Sequence, residues 1–210
     1  MGTPTSSLGD WYERRVLAWI LDNTMGGVDP LRAEVLAPAR GRVLELGFGT
    51  GANLPYYPDA VTALVAVEPS AGLAAVARER LRGWGRPAEV LEMSGSRRLP
   101  FDDASFDAVV LTFVLCSVKR APELLAEARR LLRPGAPLLL AEHVIARPGL
   151  QRRVQRAVRP LWKLCLGGCD PARDTRALLA AAGFSTDALR DVALGLPWIV
   201  RPGLVGAARR

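Results

Sequence analysis

The stretch Val43-Leu44-Glu45-Leu46-Gly47-Phe48-Gly49-Thr50-Gly51-Ala52-Asn53 decides how the whole chain is read. Val43 to Leu46 has the apolar run of a short buried strand, and three glycines at alternate positions then end it. Glycines so spaced allow positive φ and leave no Cβ between the backbone and a ligand. A loop of this kind between a strand and a helix lets the backbone approach a nucleotide closely. Glu45 places a carboxylate at the strand's carboxyl end, which argues against a plain pyrophosphate cradle. It suits a ligand that carries an amino group or a sulfonium cation.

A second marker lies in Leu64-Val65-Ala66-Val67-Glu68-Pro69. Glu68 closes another apolar run, 21 residues beyond Gly47. An acid about 20 residues past the glycines, at the end of the next strand, is placed to accept both ribose hydroxyls.

Around these two stretches the chain alternates strands and helices. Asp29-Pro30 can cap a helix running to about Leu36, and a helix is expected to begin near Asn53, delayed by Pro55 and Pro58. Ser70 to Arg82 reads as a helix, Ala88 to Met93 as the third strand, and the apolar run Ala108 to Leu115 as the fourth. Pro122 to Leu132 is an amphipathic helix ended by Arg133-Pro134-Gly135, and Leu138 to Val144 is the fifth strand. Asp174 to Ala182 is helical, while Phe184 to Leu194 and Ile199 to Ala208 can form the last two strands. Such alternation specifies an α/β fold with a parallel sheet and helices on both faces. Gly9 to Met25 reads as a further apolar-rich helix before the first strand.

Glu-Leu-Gly-Phe-Gly-Thr-Gly followed by Val-Glu-Pro resembles the first two motifs of the class I S-adenosylmethionine-dependent methyltransferases. That resemblance implies a Rossmann-like, seven-stranded, mostly parallel sheet and S-adenosyl-L-methionine as cofactor. The whole chain, 1–210, is then one methyltransferase domain, with 1–40 as an amino-terminal helical cap and 146–172 as a substrate-side insertion. By the same resemblance, Glu45, Gly47, Gly49, Gly51 and Asn53 meet the methionine half of the cofactor, and Glu68 and Pro69 the ribose. Gly95 and Ser96 lie beside the adenine; many relatives carry an acid there, so Ser96 points to a backbone contact instead. Thr112 and Phe113 approach the reacting methyl.

Leu115-Cys116-Ser117-Val118, Arg133-Pro134-Gly135, Glu142-His143-Val144, Gly168-Cys169 and Val200-Arg201-Pro202 resemble the thiol methyltransferase-like branch, itself related to quinone-biosynthesis methyltransferases. The long hydrophobic amino-terminal anchor of that branch's membrane-bound members is not seen, which leaves only peripheral membrane contact open. The implied reaction is methyl transfer to a small, fairly apolar acceptor, a thiol in preference to a phenol or amine. Two other readings compete. A nucleotide-dependent oxidoreductase would show Gly-x-Gly-x-x-Gly rather than Gly-x-Gly-x-Gly, and a non-catalytic regulatory protein would bind the cofactor without turnover.

Methyl transfer from a sulfonium needs alignment and exclusion of water, with a proton acceptor only when the nucleophile arrives protonated. His143, the one histidine, is the candidate base, with Thr112 beside the methyl. Trp11 and Tyr12, with Trp162 and Leu166 from residues 146–172, are expected to wall the acceptor pocket beside Phe113. Cys165 and Cys169 stand four apart, yet two thiols fall short of a metal site. Nothing in the spacing of Cys116 or His143 adds to them, and the cysteines read as small buried apolar residues.

Composition sets the outer bounds. The 210 residues carry a formal net charge of +7, and Lys119 and Lys163 are the only lysines among the basic residues. Nucleic acid is the usual partner of a basic chain. The fourth strand, however, ends Thr112-Phe113-Val114-Leu115 rather than in the Asn/Asp-Pro-Pro-aromatic tetrad of base methyltransferases, so a small-molecule partner is favoured. Three cysteines make no disulfide framework, which points to a reducing compartment and a cytoplasmic protein. The oligomeric state is not written in the sequence.

Overall fold

The computed structural model describes residues 26–210 together with Trp11, Arg15, Ala18 and Trp19. Most of the helix expected over 9–25, Tyr12 included, lies outside the described residues.

Seven strands form one sheet in the order β3-β2-β1-β4-β5-β7-β6. They are β1 (Gly41–Leu46), β2 (Val61–Val67), β3 (Ala88–Leu91), β4 (Ala108–Thr112), β5 (Pro137–His143), β6 (Leu189–Ala193) and β7 (Pro202–Arg209). Neighbours from β3 to β5 run parallel, and β7 is antiparallel to both β5 and β6. The order reverses between β1 and β4, and a ligand of an open α/β sheet binds outside the strand ends at such a point.

Alternation along each strand sorts the core into two layers. Leu44, Leu46, Val109, Leu111, Leu138 and Leu140 face one side and pack against α3 (Ala121–Leu131) and α5 (Thr175–Ala181). Val43, Ala66, Ala108, Val110, Leu139 and Ala141 face the other, under α1 (Asp29–Leu36) and α2 (Ala71–Leu81). The Leu99-Pro100-Phe101 turn before β4 is fixed by α3: Glu127 accepts from the Leu99 N–H at 2.7 Å, and Arg130 donates to the Leu99 and Phe101 carbonyls.

The structure shortens several expected elements. No α-helix follows the glycine loop; a single 3-10 turn, Leu54–Tyr56, leads toward β2. Pro55 lacks an N–H and Pro58 biases its predecessor away from the helical region, so elongation stops there. The third strand ends at Leu91, because the Met93 N–H turns back to the Leu91 carbonyl. The fourth ends at Thr112, where Phe113 adopts φ +58°. The last apolar stretch divides into a 3-10 turn, Trp198–Val200, and β7.

Residues 146–172 are largely α4 (Leu150–Cys165), which continues through Pro160. Gln155, fully buried, joins this helix to the sheet. Its Oε1 accepts from the Ala146 N–H at 2.7 Å, and its Nε2 donates to the Ile199 and Val144 carbonyls at 2.7 and 3.2 Å. Gln155→Leu strands one buried and two part-buried backbone groups and is expected to lower stability by about 2–4 kcal/mol. A urea midpoint measures the loss, and limited proteolysis should cut first within 147–172.

Candidate active site

At the carboxyl ends of β1, β2, β4 and β5 the chain collects polar side chains in an otherwise apolar core. Glu45, Thr112 and His143 stand on the α1 side by strand alternation, since Val43, Val110 and Ala141 lie in that layer. All three are buried.

The glycine loop is folded tightly over this rim. Its Gly47 and Phe48 N–H groups donate to the Val67 carbonyl, and Gly49 N–H donates to Glu68 Oε2 at 2.8 Å. The other Glu68 oxygen accepts from Ser70 N–H at 2.9 Å, so the acid ties loop, strand end and helix start together. A Cβ on Gly47 would meet Val114 Cγ2 at 2.4 Å, which excludes any side chain. Gly49, at φ +59°, has nothing within 4 Å of where its Cβ would stand. The loop is therefore closed toward the protein at Gly47 and open at Gly49, as a cradle for a close-fitting ligand requires.

Beneath the loop lies a buried network. Glu45 accepts from Tyr57 O–H at 2.6 Å and from Asn53 Nδ2 at 2.7 Å. Asn53 Nδ2 also donates to Thr112 Oγ1, and Asn53 Oδ1 accepts from Arg32 Nη1 at 2.7 Å. Burial pushes the Glu45 carboxyl up to about 7, against the pull of Tyr57, Asn53 and Arg32. Burial, then the Glu45 charge, pushes the Tyr57 phenol well above its usual range. Two carboxylates around an open glycine loop fit a ligand with an ammonium at one end and a ribose at the other.

Gly95 is buried against Leu46 and Leu124, and Ser96 Oγ donates to the Arg120 carbonyl at 3.1 Å. The Ser96 side chain is thus engaged with the start of α3, which leaves backbone for a contact at this position. Phe113 and Trp162 pack against one satellite cluster with Val28, Leu194, Leu196 and Val200. Trp11 and Leu166 are exposed and outside it, and Tyr12 lies beyond the described residues.

His143 meets residues that sequence spacing left apart. Its Nε2 is 3.0 Å from Cys169 Sγ, and Cys116 Sγ joins them, all within 4.8 Å. A hydrogen bond from Cys116, then His143, holds the Cys169 thiol below its usual range, while the same contact and burial push Cys116 up. Cys165 is exposed on α4 and takes no part. Glu142, next to His143, is also buried; its carboxylate accepts from the N–H groups of Val114, Leu115 and Cys116 at 2.7, 2.9 and 3.3 Å. Sequence reading missed Arg32, Tyr57 and this thiol–imidazole corner. A separate hollow of about 510 Å³ between α3 and α5, lined by Asp103, Arg129, Arg130 and Arg210, contains none of these groups.

Comparison with known proteins speaks to the fold and the family. Residues 44–140 match the family model described as a methyltransferase domain. Thiol S-methyltransferase TMT1A of Homo sapiens is 33% identical over 79% of this chain and 69% of its own. Demethylmenaquinone methyltransferase of Clavibacter sepedonicus is 32% identical over 77% of this chain and 73% of its own. Among solved structures, a SAM-dependent methyltransferase of Leishmania major superposes with TM-score 0.70 at 15% identity, over 95% of this chain and 81% of that one, which speaks for the fold.

Two outcomes test the cofactor side. Glu68→Ala should weaken S-adenosylhomocysteine binding by about 1–3 kcal/mol in calorimetry; unchanged affinity removes Glu68 from the ribose role. Glu45 gives a pH signature. Its folded value, about 7, lies above the usual 4.5, so the ligand-free protein holds an extra proton between them and loses stability as pH rises through that window. An ammonium bound against Glu45 would pull the value back down, so binding would release the proton. Affinity should be full above pH 7 and fall by up to about tenfold per unit below it. Glu45→Gln should flatten the profile.

Proposed function

Because this chain belongs to the S-adenosylmethionine-dependent methyltransferases, we propose that it methylates the sulfur of a small, fairly apolar thiol. S-adenosylmethionine, when bound, supplies a methyl group already activated by its sulfonium charge. The residues of the chain then have to bind, orient and keep water out. Glu45 would face the ammonium of the methionine half, Asn53 and Thr112 holding it in place. Gly49 lets the backbone come close, Glu68 and Pro69 stand at the ribose, and Gly95 offers backbone beside the adenine.

The observation that carries the acceptor reading is the apolar cluster beyond β4, where Phe113 and Trp162 meet Leu196 and Ile199. It favours an uncharged, apolar acceptor, and the name of the human relative favours sulfur. A thiol must lose its proton before or as it attacks. The Cys116–His143–Cys169 corner, on the same rim, is where that proton would be handled.

Labelled methyl transfer to a panel of aliphatic thiols, phenols and amines tests this. Label is expected in a thioether; label in a phenol or amine with thiols untouched overturns it. Trp162→Ala should raise KM for an apolar thiol by about 1–2 kcal/mol, roughly five- to thirtyfold, with S-adenosylhomocysteine affinity kept. Equal loss of both, or of neither, removes Trp162 from the acceptor wall.

A second reading concerns where the acceptor is met. Ala157, Pro160, Leu161 and Leu164 lie at helical spacing on α4, and Pro160, Leu161 and Leu164 are exposed, flanked by exposed Arg153 and Arg156. That face has the chemistry of peripheral contact with an anionic membrane surface, although no described helix is long and apolar enough to cross one.

A further inference from the structure

Three elements from distant parts of the chain each bring one soft or borderline donor to the same point. Cys116 follows β4, His143 ends β5 and Cys169 follows α4, yet their ligand atoms lie within 4.8 Å of one another. In a tetrahedral zinc site, bonds of about 2.3 Å to sulfur and about 2.0 Å to nitrogen set the ligand atoms roughly 3.5–3.8 Å apart, between the 3.0 Å of the His143–Cys169 contact and the 4.8 Å limit of the cluster.

The backbone around the corner is already fixed. Cys116 N–H is held by Glu142, and its carbonyl accepts from Asp170 N–H at 2.8 Å, which pins the Cys169 loop to it. Asp170, fully buried, is anchored by Arg159 and by the Ala172 N–H. His143 Nδ1 is buried without a hydrogen-bond partner, and the Trp162 side chain stands as a donor against the Cys169 sulfur. A disulfide between Cys116 and Cys169 would account for the two sulfurs and leave the imidazole without a part.

We infer that Cys116, His143 and Cys169 form a Cys2His site for a thiolate-seeking divalent cation, zinc above all, with its fourth position open. Two sulfurs and an imidazole exclude magnesium and calcium, which take oxygen. Three protein ligands with a free position are the arrangement of a zinc that works on a substrate rather than one that only braces the fold. Resting on the thiol reading, the acceptor's sulfur takes that position as a thiolate, its proton passing to solvent. A sulfur lone pair then forms the new bond to the methyl carbon, while the sulfonium C–S bond breaks and its electron pair stays on the departing thioether.

Cobalt(II) titrated into chelator-treated protein tests the site without turnover. Wild type and Cys165→Ser should take up one equivalent and show thiolate-to-cobalt charge transfer with the intense visible bands of tetrahedral cobalt. Cys169→Ser and Cys116→Ser should lose both, with binding of S-adenosylhomocysteine kept as the measure of folding. Should Cys116→Ser fail to fold, Cys169→Ser decides alone. Weak octahedral spectra in wild type, or equal uptake by Cys169→Ser, overturn the site. Adding 2-mercaptoethanol should then shift the visible bands; an unchanged spectrum overturns the open position. Either failure is distinct from failure of the thiol reading, which the labelled-methyl panel measures separately.

Discussion

The carboxylate of Glu142 fixes the turn beyond the fourth strand. A buried carboxylate is costly unless its lone pairs are met by donors. Here three successive N–H groups, from Val114 to Cys116, meet them. Burial still lifts the group to about 6, so those bonds offset only part of the cost. In return they hold the chain just after Phe113, whose positive φ is otherwise unfavourable for a bulky residue. The same turn sets Val114 under Gly47 and Cys116 beside Cys169, so one buried charge orders both the cofactor loop and the thiol corner.

The charge distribution follows from this rim. Glu45, Glu68 and Glu142 end β1, β2 and β5, each satisfied differently, by side chains, by loop N–H groups and by a strand-end turn. The formal charge of +7 is thus no guide to the site. Arg130 and Arg176 are taken up in ion pairs elsewhere, Arg159 is paired with Asp170, and the strand ends around the glycine loop are acidic, as suits a cationic cofactor.

What could be read from the sequence was local. The glycine spacing and the acids that close β1 and β2 sit in short segments whose strand ends the fold brings together by rule. Ser70 and Asp174 announced their helices, and both accept from the N–H three residues on. Strand ends were overcalled, because an apolar run does not reveal where a turn such as that at Phe113 takes over. The partners of Glu45 were hidden for a different reason. Arg32 and Tyr57 reach it only through the tertiary fold, from a helix before the first strand and a turn after it. The thiol corner was hidden in the same way: spacing along the chain says nothing of Cys116 and Cys169, because packing alone makes them neighbours.

Helix α4 meets the core through the Gln155 bonds, the Asp170 anchor and one satellite cluster, whereas the cofactor loop is built into the sheet. Selection can therefore act on the two separately. Substitutions along the outer and inner faces of α4 can retune which acceptor is admitted while the glycine loop and its acids stay unchanged. A lineage could diversify its substrates by redrafting one helix, and an engineer could exchange that helix between relatives if the Gln155 contacts were carried with it.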